Sequence, residues 1–158
     1  MQRFLKFAVA ALAITTAVAA FAADNSLGTW KLNIQKSKYS AGTFPLKNLT
    51  VTREADGDGV KATYTGERTD GKTINANYTT KSDGSPATVS GEGTPYDTVS
   101  SKPVNANTYT WDAKSSTTKY HSQGRLTVSA DGKTMTLKAK GRDPEGKPLS
   151  ATLVWEKQ

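Results

Sequence analysis

The sequence predicts an all-β chain closed as an antiparallel up-and-down meander barrel of about eight to ten strands. Three observations carry that prediction. Apolar and polar residues alternate with a period of two in segment after segment, so successive side chains fall on opposite faces of a strand. Asp-Gly dipeptides separate these segments at nearly constant spacing. The first and last segments each carry a tryptophan on the inward parity.

The first 22 residues stand outside this pattern. Arg3 and Lys6 give a positive start, Phe7 to Val18 is apolar, and Ala20-Phe21-Ala22 sets small residues where a signal peptidase reads. These are the three zones of a secretory signal, and the apolar run is short for a membrane span. Residues 1–22 are expected to be a helical signal peptide cleaved after Ala22. Residues 23–158 are then a single β-barrel domain, periplasmic or secreted, with no integral span after cleavage.

The whole chain has 21 basic and 14 acidic residues; without Arg3 and Lys6 the net charge is +5 over 136 residues. The lysines are dispersed (Lys61, Lys72, Lys102, Lys119, Lys138), whereas nucleic-acid binders concentrate their charge, so no nucleic-acid partner is expected. Cysteine is absent, which excludes thiol chemistry and cysteine-held zinc or iron–sulfur sites. An exported domain without disulfides depends on its core.

Each strand is read from its alternation. Trp30, Leu32 and Ile34 share one face of the first strand; Leu49 and Val51 follow. Val60-x-Ala62-x-Tyr64 and Ile74-x-Ala76-x-Tyr78 repeat the pattern, then Tyr109-x-Trp111-x-Ala113, Met135-x-Leu137-x-Ala139 and Leu149-x-Ala151-x-Leu153-x-Trp155. Weaker pieces surround Val89 and Val99, and one more strand runs from Tyr120 to Val128. Asp56-Gly57, Asp70-Gly71, Asp83-Gly84 and Asp131-Gly132 are hairpin dipeptides, with Glu145-Gly146 in a similar role. The 14 and 13 residues from Gly57 to Gly71 to Gly84 equal one strand plus one turn.

A meander this long must hide its edges, and closure does so. In a closed up-and-down barrel the first and last strands are antiparallel neighbours. Trp30, at the start of one, and Trp155, at the end of the other, are therefore expected to meet at one end of the barrel and plug it.

Gly28-Thr29-Trp30 matches the G-x-W motif of the lipocalin superfamily. "GTWKLN", "KSKY", "ADGKTMT" and the closing "WEKQ" resemble small secreted bacterial proteins described as lipocalin-like, a group whose shared function is largely undefined. That resemblance implies a calycin-type barrel, with the fatty-acid-binding proteins as the ten-stranded variant, and a tryptophan packed across the closed end. The chain departs from lipocalins in three ways. It has no T-D-Y motif, it offers Lys157 where they set an arginine over the tryptophan, and it stops without their C-terminal helix.

Alanines beside large residues on the inward face would line a hollow middle if they fall at similar heights. They would be plain packing partners if they do not. The expected function is binding of a small apolar or amphipathic ligand inside the barrel. Tyr64, Tyr78, Tyr109, Trp111, Met135 and Leu137 are the expected wall. Tyr39 and Phe44, in the long interruption after the first strand, lie at the mouth opposite Trp30, as a lid or a seal. The alternative is a filled structural barrel that binds another macromolecule or envelope component through its loops or exterior.

No catalytic residue, metal site or cofactor is expected. His121, the one histidine, has outward parity, and Ser122 beside it points to the opposite face, so the two cannot form a nucleophile–base pair. Most carboxylates occupy turns, which are wet.

Overall fold

The computed structural model describes residues 24–158 apart from 41 and 43. The signal segment expected at 1–22 lies outside them. Every alternating segment becomes a strand: β1 (Gly28–Leu32), β2 (Lys38–Tyr39), β3 (Leu46–Asp56), β4 (Gly59–Arg68), β5 (Thr73–Lys81), β6 (Ala87–Thr88), β7 (Ser90–Glu92), β8 (Thr98–Ser100), β9 (Pro103–Asn105), β10 (Thr108–Lys114), β11 (His121–Val128), β12 (Thr134–Arg142) and β13 (Pro148–Lys157). The described residues contain no helix.

Among the described residues the strands number thirteen, against the expected eight to ten, and eight of them have five or more residues. The surplus consists of β2, in the long interruption after β1, and of the splitting of the weak pieces around Val89 and Val99 into the short strands β6 to β9. Gly91 and Gly93 there take positive φ, 100° and 90°, and Pro95 and Pro103 cannot donate to a ladder, so pairing breaks into fragments.

All pairing is antiparallel, and the order β8-β10-β11-β12-β13-β1-β3-β4-β5 is a meander closed between first and last strands. Trp30 faces Lys157, Lys31 faces Glu156 and Leu32 faces Trp155 across β1 and β13. The remaining seam is bridged by one stretch of chain. Residues 87–92 pair with β8 through Ala87 and Thr88, and with β5 through Ser90, Gly91 and Glu92. Val89, between the two halves, donates its N–H to the Asp97 carbonyl at 2.8 Å. The result is a nearly closed antiparallel barrel, consistent with the calycin type.

Trp30 has no exposed surface. Its Nε1 donates to the Ser26 carbonyl at 2.9 Å, and Lys157 Nζ sits 5.2 Å from the ring centroid. A buried indole N–H needs such an acceptor, and the ammonium is attracted by the ring's negative face. Lys157 thus covers the tryptophan ring. Trp155 is displaced from the expected meeting. Its cross-strand partner is Leu32, so it stands diagonally from Trp30, one pair deeper. Trp30 closes the end, and Trp155 faces the interior above it.

Along β11 the neighbouring backbone comes close at one residue. Gly124 faces Trp111 on β10 and Ala139 on β12. A Cβ built there would lie 1.9 Å from the Lys138 carbonyl oxygen, a backbone atom that cannot step aside. Strands approach this closely only at glycine. Gly124→Ala is expected to destabilise the barrel by about 1–3 kcal/mol, the usual cost of overpacking. Urea denaturation showing an unchanged midpoint would refute that account of the close approach.

Candidate functional site

Register decides where the interior is full and where it is hollow. On β4 and β5, Ala62 faces Tyr78 and Tyr64 faces Ala76, so small and large residues alternate and interlock. On β11, β12 and β13 the small residues line up: Gly124 faces Ala139, and Ala139 faces Ala151. Ala139 and Ala151 of that row line a cavity of about 180 Å³ inside the barrel. It exceeds the ~150 Å³ cavity that accepts benzene and falls below the ~300–1,000 Å³ of most ligand pockets.

The wall is mainly apolar: Leu49, Val51, Ile74, Met135, Leu137 and Trp155 are among its residues. β12 supplies Met135 and Leu137 because alternation turns both inward, at 2% and 6% exposure. At the end away from Trp30, aromatic rings from different loops surround the mouth. Tyr39 meets Phe44 edge-on at 6.3 Å. Tyr96 meets the Trp111 ring edge-on at 5.8 Å and lies 5.9 Å from Tyr120. Tyr39 is held there because β2 continues along β13 beyond β1, with Tyr39 opposite Ala151.

Of the residues expected at the site, Tyr39, Phe44, Tyr64, Trp111, Met135 and Leu137 line this one cavity. Trp155, expected in the plug, lines it too, while Trp30 lies beneath. Tyr78 and Tyr109 are placed elsewhere. Tyr78 stacks on Tyr64 at 5.7 Å, and their hydroxyls share a hydrogen bond of 2.9 Å. Tyr109 sits at the Trp30 end, where its hydroxyl bonds Asp24 and the Ala106 carbonyl.

The polar and aromatic cavity residues not named from the sequence include Arg53, Arg68, Tyr96, Tyr120 and Ser122. Arg53 continues the Leu49, Val51 alternation and is 5% exposed, so its parity was readable. A charged side chain is simply presumed to face water. Ser122 likewise follows from the parity of β11. Tyr96 belongs to no strand, and only the folding back of residues 93–97 brings it inward.

All six tyrosines are held above the ordinary phenol range, with burial the largest cause in each. Tyr109 is pushed up to about 12, by burial first and then by Asp24. Raised folded values mean that the unfolded chain loses its phenolic protons first. The resulting stability is fully present below pH ~10 and is lost as pH climbs through the folded values. Phenolate absorbance is expected to rise in one late step coincident with alkaline unfolding. Six independent titrations near pH 10 in a folded chain would contradict this burial.

His121 lies on the outer face, where Nε2 is 3.1 Å from Asp112 Oδ2. Ser122 is inside and 4% exposed. The two side chains are on opposite sides of the sheet.

Closure, cavity and aromatic mouth together define the class: a nearly closed antiparallel β-barrel with room for one small molecule. No family model and no curated protein matches the chain. Among solved structures it is similar to EF1p2_mFAP2b bound to DFHBI, with 13% identity and a TM-score of 0.49 over 87% of this chain and 97% of that one. It is also similar to a redesigned beta barrel, mFAP1, bound to DFHBI, with 15% identity and a TM-score of 0.43 over 84% and 96%. The barrel assignment here rests on this chain's own strand pairing.

Proposed function

We propose that this protein is an exported carrier that takes one small apolar or amphipathic molecule into its barrel. The supporting observation is the cavity of about 180 Å³, walled by apolar side chains and reached through an aromatic mouth. Its driving force is burial of apolar ligand surface, about 25 cal/mol per Å², with the tyrosine hydroxyls as orienting groups. The three zones of residues 1–22 support export. The cavity favours this reading over a filled structural barrel that works through its exterior.

Trp111 and Trp155 line the cavity, so a ligand inside it changes their fluorescence. Titration with octan-1-ol is expected to give a saturable one-to-one response. Silence across octan-1-ol, octanoate and small aromatics would return the protein to the filled-barrel reading. N-terminal sequencing of exported protein is expected to begin at Ala23. His121→Ala is expected to leave ligand affinity unchanged, because that side chain faces outward.

A further inference from the structure

The polar character of the cavity is one-sided. Among the described residues its charged lining residues are Arg53 and Arg68, and no carboxylate, carboxamide or imidazole side chain lines it. Arg68 stands at the mouth and already has a partner, with Nε 3.5 Å from Asp70 Oδ1. Arg53 is different. It is 5% exposed, and among the described residues it makes no ion pair. Its Nε donates to Ser26 Oγ at 3.0 Å, and Ser26 Oγ donates in turn to Asp24 Oδ1 at 2.6 Å. The aspartate thus reaches the guanidinium only through the serine. The remaining support is the Tyr109 ring, 5.9 Å from Arg53 Cζ. A buried cation without a direct counter-ion is costly, and a fork-shaped guanidinium with free donors suits a carboxylate.

A second observation points the same way. Trp111 and Trp155 both line the cavity, and both have buried Nε1 atoms with no hydrogen-bond partner among the described residues. Trp30, outside the cavity, has its acceptor. Buried donors without partners are rare because each costs about 1–3 kcal/mol. The polar side chains of the described interior, apart from the two arginines and two indoles, are hydroxyls; the interior therefore offers N–H donors. A neutral hydrocarbon would leave every one of them unpaired.

We propose that the ligand is a small amphipathic carboxylate that enters head first and pairs with Arg53, its head and first carbons filling a cavity little larger than the one that takes benzene. This rests on the carrier reading and adds ligand class and orientation to it. The tail lies among Met135, Leu137, Ala139 and Ala151 and ends at the aromatic mouth. The head brings acceptor oxygens into an interior whose indole N–H groups have none.

Octanoate and octan-1-ol, of nearly equal length and opposite head chemistry, test it by calorimetry on the purified protein. Octanoate is expected to bind roughly ten- to a hundredfold tighter, the weight of a charge-assisted hydrogen bond. Arg53→Met is expected to erase that preference by weakening octanoate while octan-1-ol still binds, which also shows that the variant is folded. Equal affinities in the wild type, or an octanoate preference that survives Arg53→Met, would overturn the proposal and leave the carrier reading standing. Failure of both probes on the wild type would remove both. Should Arg53→Met bind neither probe, the wild type decides alone. The carboxyl carbon of bound ¹³C-octanoate is expected to titrate below its free value. Titration at or above the free value places the head away from Arg53 and overturns the assignment.

Discussion

Trp30→Ala is expected to destabilise the protein by about 3–5 kcal/mol, the range for removing a large buried aromatic. The size follows from position. Trp30 has no exposed surface, bonds the Ser26 carbonyl through Nε1 and lies under Lys157. It also stands on β1, between Lys157 of β13 on one side and Val51 of β3 on the other. The substitution thus opens a cavity at the junction of the first and last strands and orphans a carbonyl there. Stabilities of single domains are about 5–15 kcal/mol, so this one change removes a large share of the total. Urea denaturation followed by circular dichroism measures it. A loss below about 1 kcal/mol would mean that the end is not closed by this ring.

Ala139→Phe is expected to abolish binding of octan-1-ol while leaving the melting temperature near that of the wild type. Ala139 lies in the row of small residues between Gly124 and Ala151, on the hollow side of the barrel. A phenyl ring takes up most of a cavity of about 180 Å³, since ~150 Å³ suffices for benzene. The new side chain occupies the ligand's place and gains apolar burial in doing so. In a filled barrel the same change would overpack the core, at about 1–3 kcal/mol. Calorimetry with and without octan-1-ol separates the cases. A strongly destabilised variant means no void at Ala139. A stable variant that still binds octan-1-ol means that the ligand sits elsewhere.

The two substitutions probe different levels of what can be read from the chain. Trp30 was recognisable as an end-closing residue because its parity and its place at the start of β1 are local facts. The void beside Ala139 was not. Both Ala62 and Ala139 are alanines two residues from a larger inward side chain, and the linear pattern treats them alike. In the barrel Ala62 faces Tyr78 and is packed, while Ala139 faces Gly124 and Ala151 and borders empty space. Arg53 shows a third situation. Alternation put it inward, yet its charge argued for water, and only the neighbouring Ser26, Asp24 and Tyr109 explain how a guanidinium is kept there.

Period-two alternation and Asp-Gly turns act over a few residues, so the sequence by itself determined the strands, their inward faces, the hairpin meander and the pairing of β1 with β13. Which inward residues share a height depends on hydrogen-bond register between strands. The bridging of the last seam by residues 87–92, and the turning in of Tyr96, depend on contacts between distant parts of the chain. Those were decided only by the tertiary structure, because a side chain's partners across a barrel are set by the shear of the whole sheet and not by its neighbours along the chain.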